Sequence, residues 1–197
     1  SITELFDTWN RANMDSLKGQ FLIAMPSMLD FNFSHTVTCV SEDTRDGSLG
    51  IVVNRVIPSL TAGSIFRELN IEYTASTALI PLHIGGPVHE NEIFILHGEP
   101  FSWEGCLMIT PTLAMSNTMD LIEAIEKGEG PQTFLIALGC AGWGQGQLAA
   151  DILQIVWLTC PVDDKIIFES NIDERWHAAV RLLGIDPMLL SDTPGHA

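Results

Sequence analysis

The pattern most suggestive of chemistry in this chain is a glycine-rich stretch at residues 137–148, which reads ALGCAGWGQGQL. An apolar run typical of a strand precedes it, and a run typical of a helix follows. Backbone amides at such a junction can hold a phosphate, and Gly144-x-Gly146-x-x-Ala149 matches a loose dinucleotide-binding pattern. However, no Lys-Ser/Thr pair follows, and the bulky Trp143 lies beside the turn. We therefore favour a strand-to-helix corner in which the glycines serve packing, with nucleotide binding as the alternative.

Histidine and cysteine side chains of the kind that bind zinc lie close together in the middle of the sequence. They are His83, His89, His97 and Cys106. Their intervals are irregular and contain no i, i+4 helical pair and no C-x-x-C clamp, so the sequence predicts no metal site and no cofactor. Cys140 precedes a predicted helix, which can lower the pKa of a thiol, but a small core residue is the favoured interpretation. With no G-x-S-x-G or H-E-x-x-H motif either, the sequence favours a protein that is not an enzyme and assigns no catalytic residue.

Polar or glycine residues follow several predicted strands, where functional groups often lie. Asn54 and Arg55 end the apolar run GIVVNRV with an amide and a guanidinium, both able to make several hydrogen bonds. We expect nine such residues to line one shared groove for a ligand or a partner. They are Asn54, Arg55, Gly85, Gly86, Pro87, Gly142, Trp143, Gly144 and Gln147. The alternative is that they are turn and packing residues only; placing Asn54 and Arg55 on the opposite face from Trp143 would exclude the groove.

The composition fits one soluble globular domain. Of 197 residues, 46% are hydrophobic and 17% are charged, which argues against disorder. Nine Lys and Arg against 25 Asp and Glu give a net charge of -16, which disfavours contact with nucleic acid and anionic lipid. We therefore expect a protein or small-molecule partner, with no direct nucleic-acid or membrane binding. The absence of a signal-peptide pattern and the four scattered cysteines predict a cytoplasmic protein with reduced thiols.

The predicted elements change from mostly strands in the first half to mostly helices in the second. Predicted strands cover residues 20–27, 34–43, 77–88, 92–99, 105–110, 133–139 and 165–170. Predicted helices cover residues 64–71, 116–128, 147–159, 172–184 and 186–191. Asp46-Gly47 predicts a hairpin with a connection longer than two residues. Residues 1–17 are expected to form an N-terminal appendage, with Met14 as an alternative start, and residues 18–197 a single domain.

Several long motifs resemble, in the same order along the chain, the YqgE/AlgH family of small bacterial proteins. The motifs are GQFLIAMPSMLDFNF, DGSLGIVVNR, IGGPV, ITPTLAMSNTMDLIEAIEKGEGP, LGCAGWGQGQL, ERWHAAVRLLGIDPMLLS and the terminal GHA. The resemblance covers residues 18–197 and implies an α+β fold, in which a mixed, bifurcated sheet curls into a partial barrel with flanking helices. It also implies a bacterial cytosolic protein of no established activity, since the family's regulatory label comes from a proposed effect on exopolysaccharide genes. No helix-turn-helix motif supports direct contact with DNA.

The sequence departs from the family pattern at four places close to these motifs. His35 stands where the family has a basic residue, and Asp43 stands where the family usually has His. Val56 occupies the position after Asn-Arg, where Pro is frequent, and Cys140 occupies a position that is more often aromatic. A ligand site shared by the family is therefore expected to be altered here. The favoured function is binding of a protein or small ligand, with a DNA-contacting regulator and a nucleotide-binding protein or enzyme using residues 139–147 as alternatives.

Overall fold

The computed structural model describes residues 16–154 and 157–190, which form a mixed α+β fold. The strands are β1 (Gln20–Ala24), β2 (Val37–Thr44), β3 (Gly47–Val52), β4 (Val56–Thr61), β5 (Pro81–Ile84), β6 (Val88–His97), β7 (Leu107–Thr110), β8 (Leu113–Ser116), β9 (Phe134–Gly144) and β10 (Trp157–Pro161). The helices are α1 (Ala62–Glu68), α2 (Ala75–Ala78), α3 (Met119–Glu126), α4 (Gln147–Leu153), α5 (Asp164–Phe168) and α6 (Arg175–Leu182), with 3₁₀ helices at Ile172–Glu174 and Pro187–Leu190.

All ten strands belong to one sheet that branches at β9. The main path runs β10-β1-β2-β3-β9-β6-β8-β7, and β5, which carries β4, joins β9 beside it. β9 pairs antiparallel with β3 and β6 but parallel with β5, so the sheet is mixed but largely antiparallel. β7, at one end of the path, comes close to the other end where Thr110 lies beside Gly19, directly before β1, yet no strand pairing joins β7 to β1 or β10 among the described residues. The sheet is therefore not closed, and the expected partial barrel is not confirmed.

Apolar side chains on both faces of the sheet form three core clusters. β1 shows why, since Phe21 and Ile23 belong to one cluster and Leu22 and Ala24 to another, as the two-residue period of a strand requires. The first cluster is covered by α5 and α6, and the third by α4. A second cluster packs α1 and α3 against β5, β6 and β9. The strands that support the candidate site are thus fixed by packing on both sides.

The glycine-rich stretch is mostly strand and not a turn, which corrects the prediction for residues 137–148. β9 continues through Gly139, Gly142 and Gly144, and only Gln145 and Gly146 separate it from α4. Pairing with β3 and with Val88 of β6 holds this second half of β9 in the sheet. Glycine has a low strand propensity, so it is the pairing with neighbouring strands that keeps this part of β9 extended.

Three other predictions were wrong. Residues 165–170 were predicted as a strand, but they begin in α5, because the Asp163 side chain accepts from Lys165 N at 3.0 Å and caps the helix. The predicted helix 147–159 ends at Leu153, and Trp157 begins β10. In the hairpin, Thr44 pairs with Gly47, so its connection is two residues and not longer.

The predicted appendage, residues 1–17, lies outside the described residues except for its last two positions. Leu17 N donates to Asp43 Oδ2 at 2.7 Å, and Ser16 Oγ donates to the Asp43 carbonyl at 3.3 Å. The terminal GHA also lies outside the described residues. The division into an appendage and one domain stays a prediction.

Candidate functional site

The loop between β1 and β2, residues 25–36, is the part of the surface that the predicted site residues organise; we call it the β1–β2 loop. Asn54, in the connection between β3 and β4, closes the loop's C-terminal end. Its Oδ1 accepts from Val37 N at 2.8 Å, and its Nδ2 donates to the His35 carbonyl at 2.8 Å. One side-chain amide therefore bridges the end of the loop to the start of β2.

Arg55 holds the middle of the same loop through backbone carbonyls. Its Nη1 donates to the carbonyls of Phe31 and Asn32 at 2.9 and 2.8 Å. Its Nη2 donates to the Ser34 carbonyl at 2.7 Å. Burial lowers the pKa of Arg55, and the nearby Asp30 carboxylate opposes that effect. Hydrogen bonds from a charged donor are stronger than neutral ones, so this guanidinium fixes the loop's shape.

The inner side of the loop is fixed by an aromatic contact. The Phe33 ring stacks on Trp143 with centroids 5.9 Å apart and meets Trp157 edge-on at 5.5 Å. Trp143 is itself buried and packs in the third core cluster with Leu148. Trp143 is thus a core residue that seats the loop, and it lies on the same side of the sheet as the loop that Arg55 holds.

The outer side of the loop carries two largely exposed apolar side chains, and the Arg55 guanidinium lies 6.0 Å from the centre of one of them, the Phe31 ring. Leu29 is 92% exposed and Phe31 is 88% exposed, the two highest values for large hydrophobic side chains among the described residues. Asp30 between them fixes the turn, since its carbonyl accepts from Phe33 N and Ser34 N and its Oδ1 accepts from Asn32 N. Leu29 and Phe31 are therefore displayed on a backbone that is already ordered.

Gly85 and Gly86 pass so close to the backbone of β9 that no side chain would fit between them. A Cβ on Gly85 would lie 2.2 Å from the Gly139 carbonyl oxygen, and one on Gly86 would lie 2.2 Å from the Cys140 carbonyl carbon. Gly86 also has φ +152, which favours glycine. Gly85 bonds to both Val52 and Leu138 through its backbone. These two glycines serve close packing at the branch of the sheet.

The other predicted site residues lie further along β9 and its turn. Gly142 pairs with Leu49 of β3, and Gly144 N donates to Gln147 Oε1 at 3.0 Å. Pro87 is partly buried beside the glycine crossing. None of the nine predicted residues lines any of three cavities in the described part of the chain, although Gln145 and Gly146 border one with a volume of about 790 Å³. Asn54, Arg55 and Trp143 meet at one loop, but a single groove for all nine stays a prediction.

Leu29 and Phe31 were not singled out from the sequence. In MLDFNF after Pro26, Met28 and Phe33 pack inward while Leu29 and Phe31 point outward, an arrangement that does not follow the alternation of apolar and polar residues. The alternation of apolar and polar residues from Leu29 to Phe33 resembles a strand, but the turn at Asp30 and the hydrogen bonds to Asn54 and Arg55 make this segment a loop.

The histidines of the predicted zinc-type set are used in separate places. His83 is 4% exposed, and its Nε2 accepts from Arg175 Nη1 at 2.9 Å, because a guanidinium can only donate. Arg175 also donates to the Val53 and Ser170 carbonyls, so it joins β5, the end of β3 and α6. Burial, and then the Arg175 charge, lower the pKa of His83 to about 4, against a weaker opposing effect of the Ile136 carbonyl.

A buried serine–histidine pair lies at the start of the β6–β8 pairing. His97 Nδ1 donates to the Gly98 carbonyl at 2.7 Å, which leaves Nε2 to accept from Ser116 Oγ at 2.9 Å. His97 and Ser116 are 0% and 2% exposed, so no substrate could reach the hydroxyl. Burial lowers the pKa of His97. The pair is a structural hydrogen bond.

The remaining chemical candidates are inert or dispersed. Burial, and then Glu92, raise the pKa of the Cys140 thiol to about 11, so the alternative of a reactive thiolate is not supported. His89 is exposed and lies 3.5 Å from Glu92. In residues 16–154 and 157–190, no group of three His, Cys, Asp or Glu side chains could hold a metal ion. Nor does any helix in these ranges have the length and apolar character needed to cross a membrane.

The fold and the site together define a class of protein. Its members have an α+β fold with a branched sheet, and residues at the strand ends hold a surface loop in place. The AlgH-like family model matches residues 21–188. UPF0301 proteins from Desulforapulum autotrophicum and Methylococcus capsulatus are each 43% identical to this chain, covering 92% and 91% of it and 96% of each relative. The chain belongs to the YqgE/AlgH family.

Two solved structures share the fold. The solution structure of the AlgH protein from Pseudomonas aeruginosa is 40% identical, with a TM-score of 0.78 over 93% of this chain and 97% of that one. A crystal structure of a protein from Corynebacterium diphtheriae has a TM-score of 0.71 over 90% of this chain and 91% of that one. Its identity is 21%, so that likeness concerns the fold alone.

Proposed function

We propose that this chain is a non-enzymatic binding protein of the bacterial cytosol that contacts a protein partner through the β1–β2 loop. The observation that carries the proposal is the exposure of Leu29 and Phe31 at 92% and 88% on a loop fixed by Asn54 and Arg55. Large apolar side chains exposed together commonly mark interaction sites.

The order of the loop is what favours binding over chance exposure. Five hydrogen bonds from Asn54, Arg55 and the Val37 amide, together with the Phe33 contact, hold the backbone before any partner arrives. A loop already in one conformation loses less conformational freedom on binding, so a given contact yields more affinity. Aromatic anchors such as Phe31 often carry much of an interface's binding energy.

The shape of this surface favours a protein over a small ligand. Leu29 and Phe31 protrude, whereas small-molecule sites are concave and cover most of their ligand. A protein partner with an apolar pocket would accommodate such side chains. The net charge of -16 makes basic partners more favourable than acidic ones and weighs against DNA.

The proposal is tested with the full chain and two double variants. Leu29→Ser/Phe31→Ser removes the apolar pair, and Leu79→Ser/Met188→Ser removes two side chains that are 77% and 79% exposed elsewhere. Each immobilised chain is incubated with extract of the native host, and bound proteins are quantified by mass spectrometry. Proteins retained at least tenfold better by the wild type and the control than by the loop variant are then tested as purified partners. Equal retention of the same proteins by all three chains would overturn the proposal.

A further inference from the structure

The first two residues of α6, Arg175 and Trp176, hold both ends of the β1–β2 loop with buried side chains. Each is 7% exposed. Arg175 donates to the residue directly before Asn54, and Trp176 contacts a residue at each end of the loop. We propose that Arg175 and Trp176 are positioning residues, through which α6 sets the conformation in which the loop presents Leu29 and Phe31 to a partner. This inference rests on the proposed function of the loop.

Trp176 joins the start of the loop to its end. Its Nε1 donates at 3.0 Å to the carbonyl of Ala24, the last residue of β1. Its ring meets the His35 ring edge-on, with centroids 5.6 Å apart. His35 has φ +55, a left-handed conformation that is uncommon for residues other than glycine and that needs contacts to hold it. The Asn54 amide holds the backbone of His35, and Trp176 holds its ring.

Arg175 fixes the strand end from which Asn54 reaches the loop. Its Nη1 donates to the Val53 carbonyl at 2.6 Å, and the Val53 amide donates to the Val37 carbonyl at 2.9 Å. The Val37 amide in turn donates to the Asn54 side chain. Hydrogen bonds from a charged donor are stronger than neutral ones, so the guanidinium at Val53 restricts where the neighbouring Asn54 side chain lies.

The order of the strands explains how one helix reaches both places. β1, β2 and β3 are neighbours in the sheet, and their ends lie side by side, since Ala24 N donates to the Thr36 carbonyl and Val53 N to the Val37 carbonyl. Strands two places apart in a sheet are about 10 Å apart, and the two adjacent α6 side chains bridge that distance. A shift of α6 would therefore move both ends of the loop together.

Amide hydrogen exchange of the full chain tests whether Trp176 orders the loop. Trp176→Phe removes the indole N–H and keeps an aromatic ring, whereas the control Trp103→Phe removes an equivalent bond to the Pro100 carbonyl in another loop. We expect the Ala24 and Thr36 amides to exchange at least about fivefold faster in Trp176→Phe, as for one lost hydrogen bond, and within about twofold of wild type in the control. Equal exchange in all three chains would overturn the proposal. So would an acceleration shared equally by the β6 amides, because it would report global destabilisation.

Two variants test Arg175 in the same way. Arg175→Met removes every N–H donor, and Arg175→Lys restores one group able to donate to the Val53 carbonyl. Exchange of the Val37 amide should accelerate at least about fivefold in Arg175→Met and less in Arg175→Lys. Should Arg175→Met fail to fold, the lysine variant decides, since it should still exchange faster than wild type. Exchange equal to wild type in the folded variants would overturn the role of Arg175.

Partner capture separates positioning from a purely structural role. A benzophenone amino acid at position 31 of the full chain, in the native host, reports contact with a protein. We expect the crosslink yield to fall at least about twofold in Trp176→Phe and to match wild type in Trp103→Phe and in Ile95→Val, a core change away from the loop. An unchanged yield in Trp176→Phe would overturn the proposal. No crosslink from the wild type would instead overturn the proposed function, whereas the exchange rates would still show whether α6 orders the loop.

Discussion

Protonation of His83 should make the stability of this protein fall between pH 6.5 and 4. His83 is buried, and its Nε2 accepts from Arg175 at 2.9 Å, so a second positive charge there would remove the hydrogen bond and repel the guanidinium. The pKa is about 4 in the folded protein against 6.5 for an ordinary histidine. Below pH 6.5 His83 binds a proton in the unfolded chain but not in the folded chain. This contribution to stability is therefore fully present above pH 6.5 and declines as the pH falls. The pKa difference corresponds to a loss of about 3 kcal/mol when the pH reaches 4.

Denaturant unfolding at half-unit pH steps from 7.5 to 4.5 measures this effect. His83→Gln removes the titration while keeping an amide oxygen that can accept from Arg175, so its free energy of unfolding should fall less steeply with decreasing pH. The difference in slope should approach about 1.4 kcal/mol per pH unit near pH 5. Ile95→Val, which costs about 1 kcal/mol through a buried methyl group alone, should run parallel to the wild type. Parallel curves for wild type and His83→Gln would refute the reasoning.

Three further predictions follow from single contacts, each measured by denaturant unfolding or hydrogen exchange. Gly86→Ala should lower the free energy of unfolding by more than about 4 kcal/mol, because its Cβ would lie 2.2 Å from Cys140. Gly128→Ala, with φ +74 and open space around it, should lower it by about 1 kcal/mol. Similar losses in the two variants would contradict the close crossing of Gly86 and β9. Thr38→Val should raise stability by about 1 kcal/mol because the buried Thr38 hydroxyl has no hydrogen-bond partner among the described residues, and a loss would show that the hydroxyl is satisfied. Arg55→Lys keeps the charge but loses the guanidinium hydrogen bonds to the loop carbonyls. Stability should therefore fall by about 1–2 kcal/mol, and the Phe33 and Ser34 amides should exchange faster. Unchanged exchange would show that Arg55 does not order the loop.

Elements with a local signal could be predicted from the sequence. α3 and α6 follow the spacing of Leu121, Ile122 and Ile125 and of Trp176, Ala179 and Val180, all buried. β1 forms within the predicted strand 20–27 and ends at Ala24, two residues before Pro26. In each case the same residues that set the local pattern also face the core.

Elements set by distant contacts could not be predicted. Gly139, Gly142 and Gly144 have low strand propensity, and β9 exists there because β3 and Val88 pair with it. The segment beginning KIIF has strand-like composition, but the Asp163 cap and the burial of Ile166 and Ile167 against the sheet make it helical. Tertiary contacts decided both outcomes.

The residues of the candidate site also divide into those with a local sequence signal and those whose position depends on distant contacts. Asn54 and Arg55 stood out because two polar residues ended an apolar strand, and they hold the β1–β2 loop. Leu29 and Phe31 did not stand out, because nothing in their own types shows which of four apolar residues in MLDFNF points outward. That depends on Phe33 meeting Trp143, which lies 110 positions later in the chain.

Photocrosslinking from position 31 tests the central claim most directly. A benzophenone amino acid replaces Phe31 in the full chain inside its native host, and the same amino acid at Leu79 serves as the control. Because both side chains are largely exposed, neither replacement should disturb folding. We predict a discrete protein crosslink from position 31 that Arg55→Lys weakens and that position 79 does not form. No crosslink from position 31, or identical crosslinks from both positions, would contradict the assignment of the β1–β2 loop as the partner-binding surface.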